Sequence, residues 1–281
     1  MEKNNPLVSV IIPAFNVENF IGETLRSVIN QTYKNLEVIV VDDSSTDQTA
    51  SVVKEFIKSD KRINYFKIEH AGRPAVPRNF GISKAKGELI AFLDSDDLWS
   101  NNKLTEQVLF LNKNPEFIFV YSMSVTFGDV NVLSPFYEVL PLLHKAAVTR
   151  NDLISKGNSI TCSSVLIRSE YLKRINNFDE DPDLKAVEDY DLWLRLSELG
   201  NFGFIPRIQT FYRVHSTQSS SDWETKQKRL KYLSSKRKII LPKYNFYRNK
   251  GPIIRMARNS VHLLTFLYVK FLSLLDIQKS R

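Results

Sequence analysis

Apolar residues along the chain fall into two alternating patterns. "VSVIIPAFN" (8–16) is a β-branched run stopped by Pro13, and "LEVIVVDDSSTD" (36–47) is a second such run. Continuous runs of this kind read as strands buried on both faces. Between them Phe20, Ile21, Leu25, Val28 and Ile29 recur at helical spacing. A helix is expected over 47–58, with Ser45 or Thr46 as its cap. "INYFKIE" (63–69) reads as a third strand, "HAGRPAVPRN" as a loop leading into a short helix, and "GELIAFLD" (87–94) as a fourth strand. The order β-α-β-α-β-α-β predicts an α/β fold, a mostly parallel sheet with helices on both faces. Further strands are expected at 117–127, 159–168 and 203–216, and an amphipathic helix at 188–200.

In such sheets ligands bind beyond the carboxyl ends of the strands. Three of the four leading strands end there in polar clusters: Asn16 and Glu18; Asp42 and Asp43; Asp94, Asp96 and Asp97. Three carboxylates within four residues repel one another unless a cation lies among them, and Mg²⁺ takes one or two carboxylates plus substrate phosphates. The cluster therefore points to a metal and a phosphorylated ligand. Helix capping by Asp97 or Ser100 is the simpler reading for Asp97 alone, and hydrogen bonding within its own turn for Asp42. Neither GxGxxG after the first strand nor GxxxxGK[ST] occurs, so dinucleotide and P-loop phosphate cradles are lacking.

Charge changes the picture at one end. Residues 225–281 carry fifteen Lys/Arg and a single acid, Asp276, whereas residues 1–224 carry twenty-four Lys/Arg against thirty Asp/Glu. The chain divides on this basis into an α/β domain, 1–220, and a basic helical C-terminal region, 221–281. Over 253–276 apolar and polar residues separate onto two halves of a helix, which predicts a helix lying in a membrane interface. Upstream basic residues, Lys236, Arg237 and Lys238 among them, would meet anionic headgroups. Packing of the apolar half on the α/β domain or a second subunit is the alternative. No nucleic-acid-binding signature accompanies the basic run. One cysteine, Cys162, and an N-terminus, MEKNNPLVSV, without an apolar leader point to a reducing, cytoplasmic setting, and the amphipathic tail to a peripheral membrane contact there.

"VSVIIPAFNVENFIGETLRSVINQTYKNLEVIVVDDSSTDQT", "RNFGISKAKGELIAFLDSDDLW" and "EDYDLWLRL" together resemble family 2 glycosyltransferases of the GT-A fold, over about residues 6–216. The resemblance implies an inverting enzyme using a UDP-sugar donor, Mn²⁺ or Mg²⁺, and a glycan acceptor, lipid-linked in enzymes of surface polysaccharide synthesis. It implies that Pro13, Ala14, Phe15, Asn16 and Glu18 line the nucleotide site and that Asp43 reads the base. Arg78 and Asn79 then lie near the donor. Asp94 and Ser95 face the ribose and sugar, Asp96 ligates the metal with Asp97 assisting, and His215 of "YRVHSTQSS" is a further metal ligand. Asp189 is the catalytic base, with Glu188 as a supporting group and Asp191 as helix N-terminal charge. Trp99 and Trp193 are candidates for stacking on sugar rings, Trp193 more simply for the core. A nucleotidyltransferase and a catalytically silent scaffold remain as alternatives.

Overall fold

The protein is described by a computed structural model covering residues 5–128, 147–216 and 223–241. Four strands, β1 (Val8–Ala14), β2 (Leu36–Asp42), β3 (Ile63–Lys67) and β4 (Leu89–Phe92), form the parallel half of an eight-stranded sheet. Its other half holds β5 (Leu98–Trp99), β6 (Phe117–Gly128), β7 (Val165–Arg168) and β8 (Asn201–Val214). The order across the sheet is β3-β2-β1-β4-β7-β6-β8-β5. β7 runs antiparallel to β4 and β6, and β5 antiparallel to β8.

The period of two in β1 sorts its side chains between two cores. Val8, Val10 and Ile12 pack beneath α1 (Ile21–Ile29), α2 (Thr49–Ser59) and α4 (Lys103–Lys113). Ile11 faces the opposite layer, built by α3 (Ala75–Lys84), α5 (Arg150–Lys156), α6 (Ser169–Arg174) and α7 (Glu188–Leu196). The α3 helix lies so close to the sheet that a Cβ on Gly81 would stand 2.5 Å from Ile11 Cγ2, which is why glycine occupies that position. Trp193 is wholly buried in this layer against Phe119, ring centroids 5.2 Å apart. Trp99 is also buried, with its indole N–H on the Ser163 carbonyl (2.7 Å) and Lys103 Nζ over its ring, so both tryptophans pack in the cores.

The α2 cap differs from expectation. Thr49 N–H donates to Asp47 (2.9 Å) and Gln48 N–H to Glu18 (2.7 Å), whereas Ser45 Oγ accepts from Asn16 N–H. The last described helix, α8 (Trp223–Lys236), places Leu230 and Leu233 in the same apolar layer as α7. Helix α8 of the basic C-terminal region thus packs on the α/β body. Lys236 and Arg237, expected at lipid headgroups, are instead ion-paired to Asp179, Asp181 and Asp191. Among the described residues no helix is long and apolar enough to cross a membrane. The interfacial helix expected over 253–276 lies outside the described residues.

Candidate active site

The sheet order reverses between β1 and β4, and there the strand ends open a cleft of about 780 Å³. Its size is that of a site for a small-molecule ligand. Pro13 and Ala14 at the end of β1 and Phe15, Asn16 and Glu18 after it line its wall, with Asp43 after β2 and Asp94, Ser95 and Asp96 after β4. Arg78 on α3, Asp189 on α7 and His215 beyond β8 complete the group. Asn79 is not brought to the wall. Its amide donates to the Phe178 carbonyl (2.9 Å) and Glu180 (2.8 Å) and accepts from Phe178 N–H (3.0 Å), so it pins the segment that leads to α7.

At one end of the cleft Asp43 is nearly buried and accepts the N–H groups of Ala71 (2.6 Å) and Gly72 (2.9 Å). His70, which sequence reasoning missed, lies 3.2 Å from the same carboxylate, and its ring stands 4.5 Å from that of Phe15. Only its place in a Gly/Pro-rich loop could have flagged it. Asp42 is fully buried and accepts from Ser45 N–H (2.8 Å) and the Tyr65 hydroxyl, which confirms its role within its own turn.

Across the middle, one guanidinium ties two motifs together. Arg78, 3% exposed, donates to Asp94 (2.6 Å) and to Glu188 (2.7 Å). Burial opposes its charge, and the two carboxylates keep it protonated. Asp94 is only partly buried, yet desolvation still raises its pKa, with Arg78 pulling against it. Because Asp96 and Asp189 neighbour the two clamped acids, the clamp brings the "DSD" loop and the "ED" helix to one cleft.

Asp96 Oδ2 lies 2.9 Å from His215 Nε2. A carboxylate oxygen and an imidazole nitrogen are donors that a divalent cation takes, so Asp96 and His215 would hold Mn²⁺ or Mg²⁺ together with substrate phosphate and water. Among the described residues no three His, Cys, Asp or Glu side chains form a ready-made cage. Asp97 neither caps α4 nor faces the cleft. It is fully buried, accepting from Ser163 Oγ (2.6 Å) and Arg213 N–H (2.9 Å), and burial followed by the nearby Asp96 and Asp94 raises its pKa strongly.

Asp97 thereby links the Asp96–His215 pair to the sheet. Arg213 Nε donates to the Asp96 carbonyl (2.7 Å), and its guanidinium lies over Phe20 and Phe127 and reaches Glu23 (2.6 Å). Ser163 also accepts from Asp94 N–H (3.0 Å). Ser163 comes from bland local sequence, and Arg213, although it lies in the "YRVHSTQSS" stretch quoted for His215, carries no expected role as a support of the acidic loop. Substituting Ser163→Ala removes both hydroxyl contacts. We expect a loss of about 1–3 kcal/mol in a urea titration, with reduced donor turnover because the loop loses its anchor.

Asp189, half-buried at the start of α7, accepts from Tyr190 N–H (2.7 Å) and from Asn158 Nδ2 (3.3 Å). Asp191, expected to serve as helix N-terminal charge, is fully buried and paired with Arg195 and Arg237. Burial holds the Cys162 thiol well above its ordinary pKa, which suits a structural residue on this wall.

The sequence model described as "Glycosyl transferase family 2" matches residues 9–175. The chain belongs to that family. The Escherichia coli enzyme WfaP, UDP-Glc:alpha-D-GlcNAc-diphosphoundecaprenol beta-1,3-glucosyltransferase, is 35% identical over 77% of this chain and 80% of its own. TuaG of Bacillus subtilis, named for teichuronic acid biosynthesis, is 31% identical over 79% of this chain and 85% of its own. The fold is that of GT-A glycosyltransferases. The S. aureus TarS structure with UDP-GlcNAc superposes with a TM-score of 0.66 at 21% identity, over 81% of this chain and 65% of that one. The mannosyltransferase PcManGT of Pyrobaculum calidifontis, in complex with GDP-Man and Mn²⁺, gives 0.61 at 21% identity, over 89% and 66%. The chain thus spans about two thirds of each solved relative. The family model ends before α7, so Asp189 and His215 of this glycosyltransferase lie outside its span and are placed by the cleft geometry alone.

Proposed function

We propose that this family 2 glycosyltransferase moves a hexose or N-acetylhexosamine from a UDP-sugar to a hydroxyl of a lipid-linked glycan, with inversion, in surface polysaccharide synthesis. The observation that carries the reading is the Arg78 clamp, which sets the Asp96–His215 pair and Asp189 on one cleft. Inversion needs a single base to take the acceptor proton as its oxygen attacks the anomeric carbon. Glu188 is engaged as the counter-ion of Arg78, and Asp189 stands beside it with its carboxylate on the cleft, which supports one base rather than a base and a nucleophile. Asp43, with Phe15 and His70 beside it, suits a flat base with an N–H to donate. A divalent cation at Asp96 and His215 would neutralise the charge gathering on the departing diphosphate. The names of WfaP and TarS support UDP-sugars as donors, and that of WfaP a diphospholipid-linked acceptor.

The test is a panel of nucleotide-sugars with Mn²⁺, followed by nucleoside diphosphate release with and without a GlcNAc-diphospholipid acceptor. One UDP-sugar should turn over, with a product of inverted anomeric configuration. EDTA should abolish release and excess Mn²⁺ restore it. Turnover unchanged in EDTA would remove the metal from the reading. Silence with every UDP-sugar, acceptor present, would remove the donor assignment.

A further inference from the structure

Helix α8 lies beyond the span of the family model, yet Leu230 on it lines the cleft. Around it is a set of contacts to the segment that delivers Asp189. Arg229 donates to the Lys185 carbonyl (2.8 Å) and Tyr232 Oη to Asp181 (2.6 Å). Lys236 pairs with Asp179 (2.9 Å) and Asp181 (2.7 Å). Arg237, just past the helix, spans two acids: Nη2 donates to Asp179 (2.8 Å) and Nε to Asp191 (2.5 Å). Asp191 is fully buried, and its other oxygen accepts from Arg195 (2.8 Å).

These two acids bracket the segment. Asp179 stands at its start, and Asp191 stands two residues beyond Asp189 in the first turn of α7. Between them Ala186 has φ +66°, a left-handed conformation that a residue with a Cβ keeps only where its surroundings impose it. Leu184 and Val187 share an apolar cluster with Leu230 and Leu233 of α8. The donor end of the cleft, by contrast, is built on β1, β2 and β4, and none of these hydrogen bonds and ion pairs from α8 runs to the strand ends there.

We propose that Arg237 is a positioning residue for glycosyl transfer: by joining Asp179 to buried Asp191 it fixes the 179–191 segment and aims Asp189 at the acceptor hydroxyl. The inference rests on Asp189 being the base. An arginine is suited to the task because its planar fork reaches both carboxylates, whereas a lysine presents a single point of charge. Misplacement of a catalytic group by a change remote from the chemistry lowers turnover while leaving ground-state binding in place.

The test compares Arg237→Ala, Arg237→Lys and Tyr232→Phe with the full-length wild type, measuring kcat, donor KM, UDP affinity by calorimetry and thermal unfolding. For Arg237→Ala, kcat should fall about 10–100-fold. Arg237→Lys should lie between it and the wild type, and Tyr232→Phe should shift kcat less, in the same direction. Donor KM and UDP affinity should stay unchanged in all three. If Arg237→Ala does not fold, the lysine and Tyr232 variants decide. Wild-type kcat in folded variants, or UDP affinity lost in step with kcat, overturns the proposal. Asp189→Asn is the control on the reading beneath it: if that variant keeps full activity, the base assignment fails whatever Arg237 does.

Discussion

Substituting Asp189→Asn is expected to lower transfer by about 10²–10⁴-fold while UDP binds as before. The site itself makes the substitution a clean one. Asp189 Oδ1 accepts from Tyr190 N–H and Oδ2 lies 3.3 Å from the Asn158 amide. An asparagine oxygen keeps the first bond at the same volume, so α7 keeps its start and the cleft its shape. What disappears is an oxygen able to take a proton, and with it the acceptor of the long Asn158 contact. The donor's expected contacts, Asp43 and Asp94 with Asp96 and His215, come from other strand ends and stay in place. Measuring kcat together with calorimetric UDP affinity separates the two effects. A matching loss of UDP affinity would show Asp189 to be a donor-site residue and leave the base to be found elsewhere.

The parallel half of the sheet and its acidic edge are legible in the sequence for a plain reason. Strands buried on both faces must be continuous apolar runs, and the residues that end them at the switch point must be those that meet the ligand. Val8–Ala14, Leu36–Asp42 and Leu89–Phe92 all show that form. Local pattern says nothing about contacts between distant residues. Asn79 lies in an "RN" pair, and only the fold shows its amide spent on Phe178 and Glu180, about a hundred positions away. Asp97 reads as a cap because a helix follows it, whereas Ser163 and Arg213 claim it from β7's approach and from β8. Lys236 and Arg237 belong to a charge run by sequence and to an ion-pair network by structure, because their acids lie near residue 180. Charge composition marks a region as basic; it does not say which of its cations are already paired.

Arg78 is the point at which sequence motif and long-range structure meet, and its removal tests both. Replacing it with methionine retains much of the volume and leaves Glu188, whose side chain is 6% exposed, without its cation, and Asp94, 30% exposed, without its partner. Breaking a buried ion pair from one side costs about 3–5 kcal/mol, because the remaining charge stays desolvated. Water reaches Asp94, so most of the cost should come from Glu188. The Arg78→Met protein should therefore unfold at a much lower urea concentration. Adding Glu188→Gln should recover a large part of the lost stability by removing the stranded charge. Activity should not return with it, because the double variant still lacks the link between the acidic loop and α7. A wild-type urea midpoint for Arg78→Met would mean that packing alone holds the two motifs together. Recovery of stability without activity would instead assign the clamp its place in the chemistry: it holds Asp96 and Asp189 at a fixed separation across one bound donor.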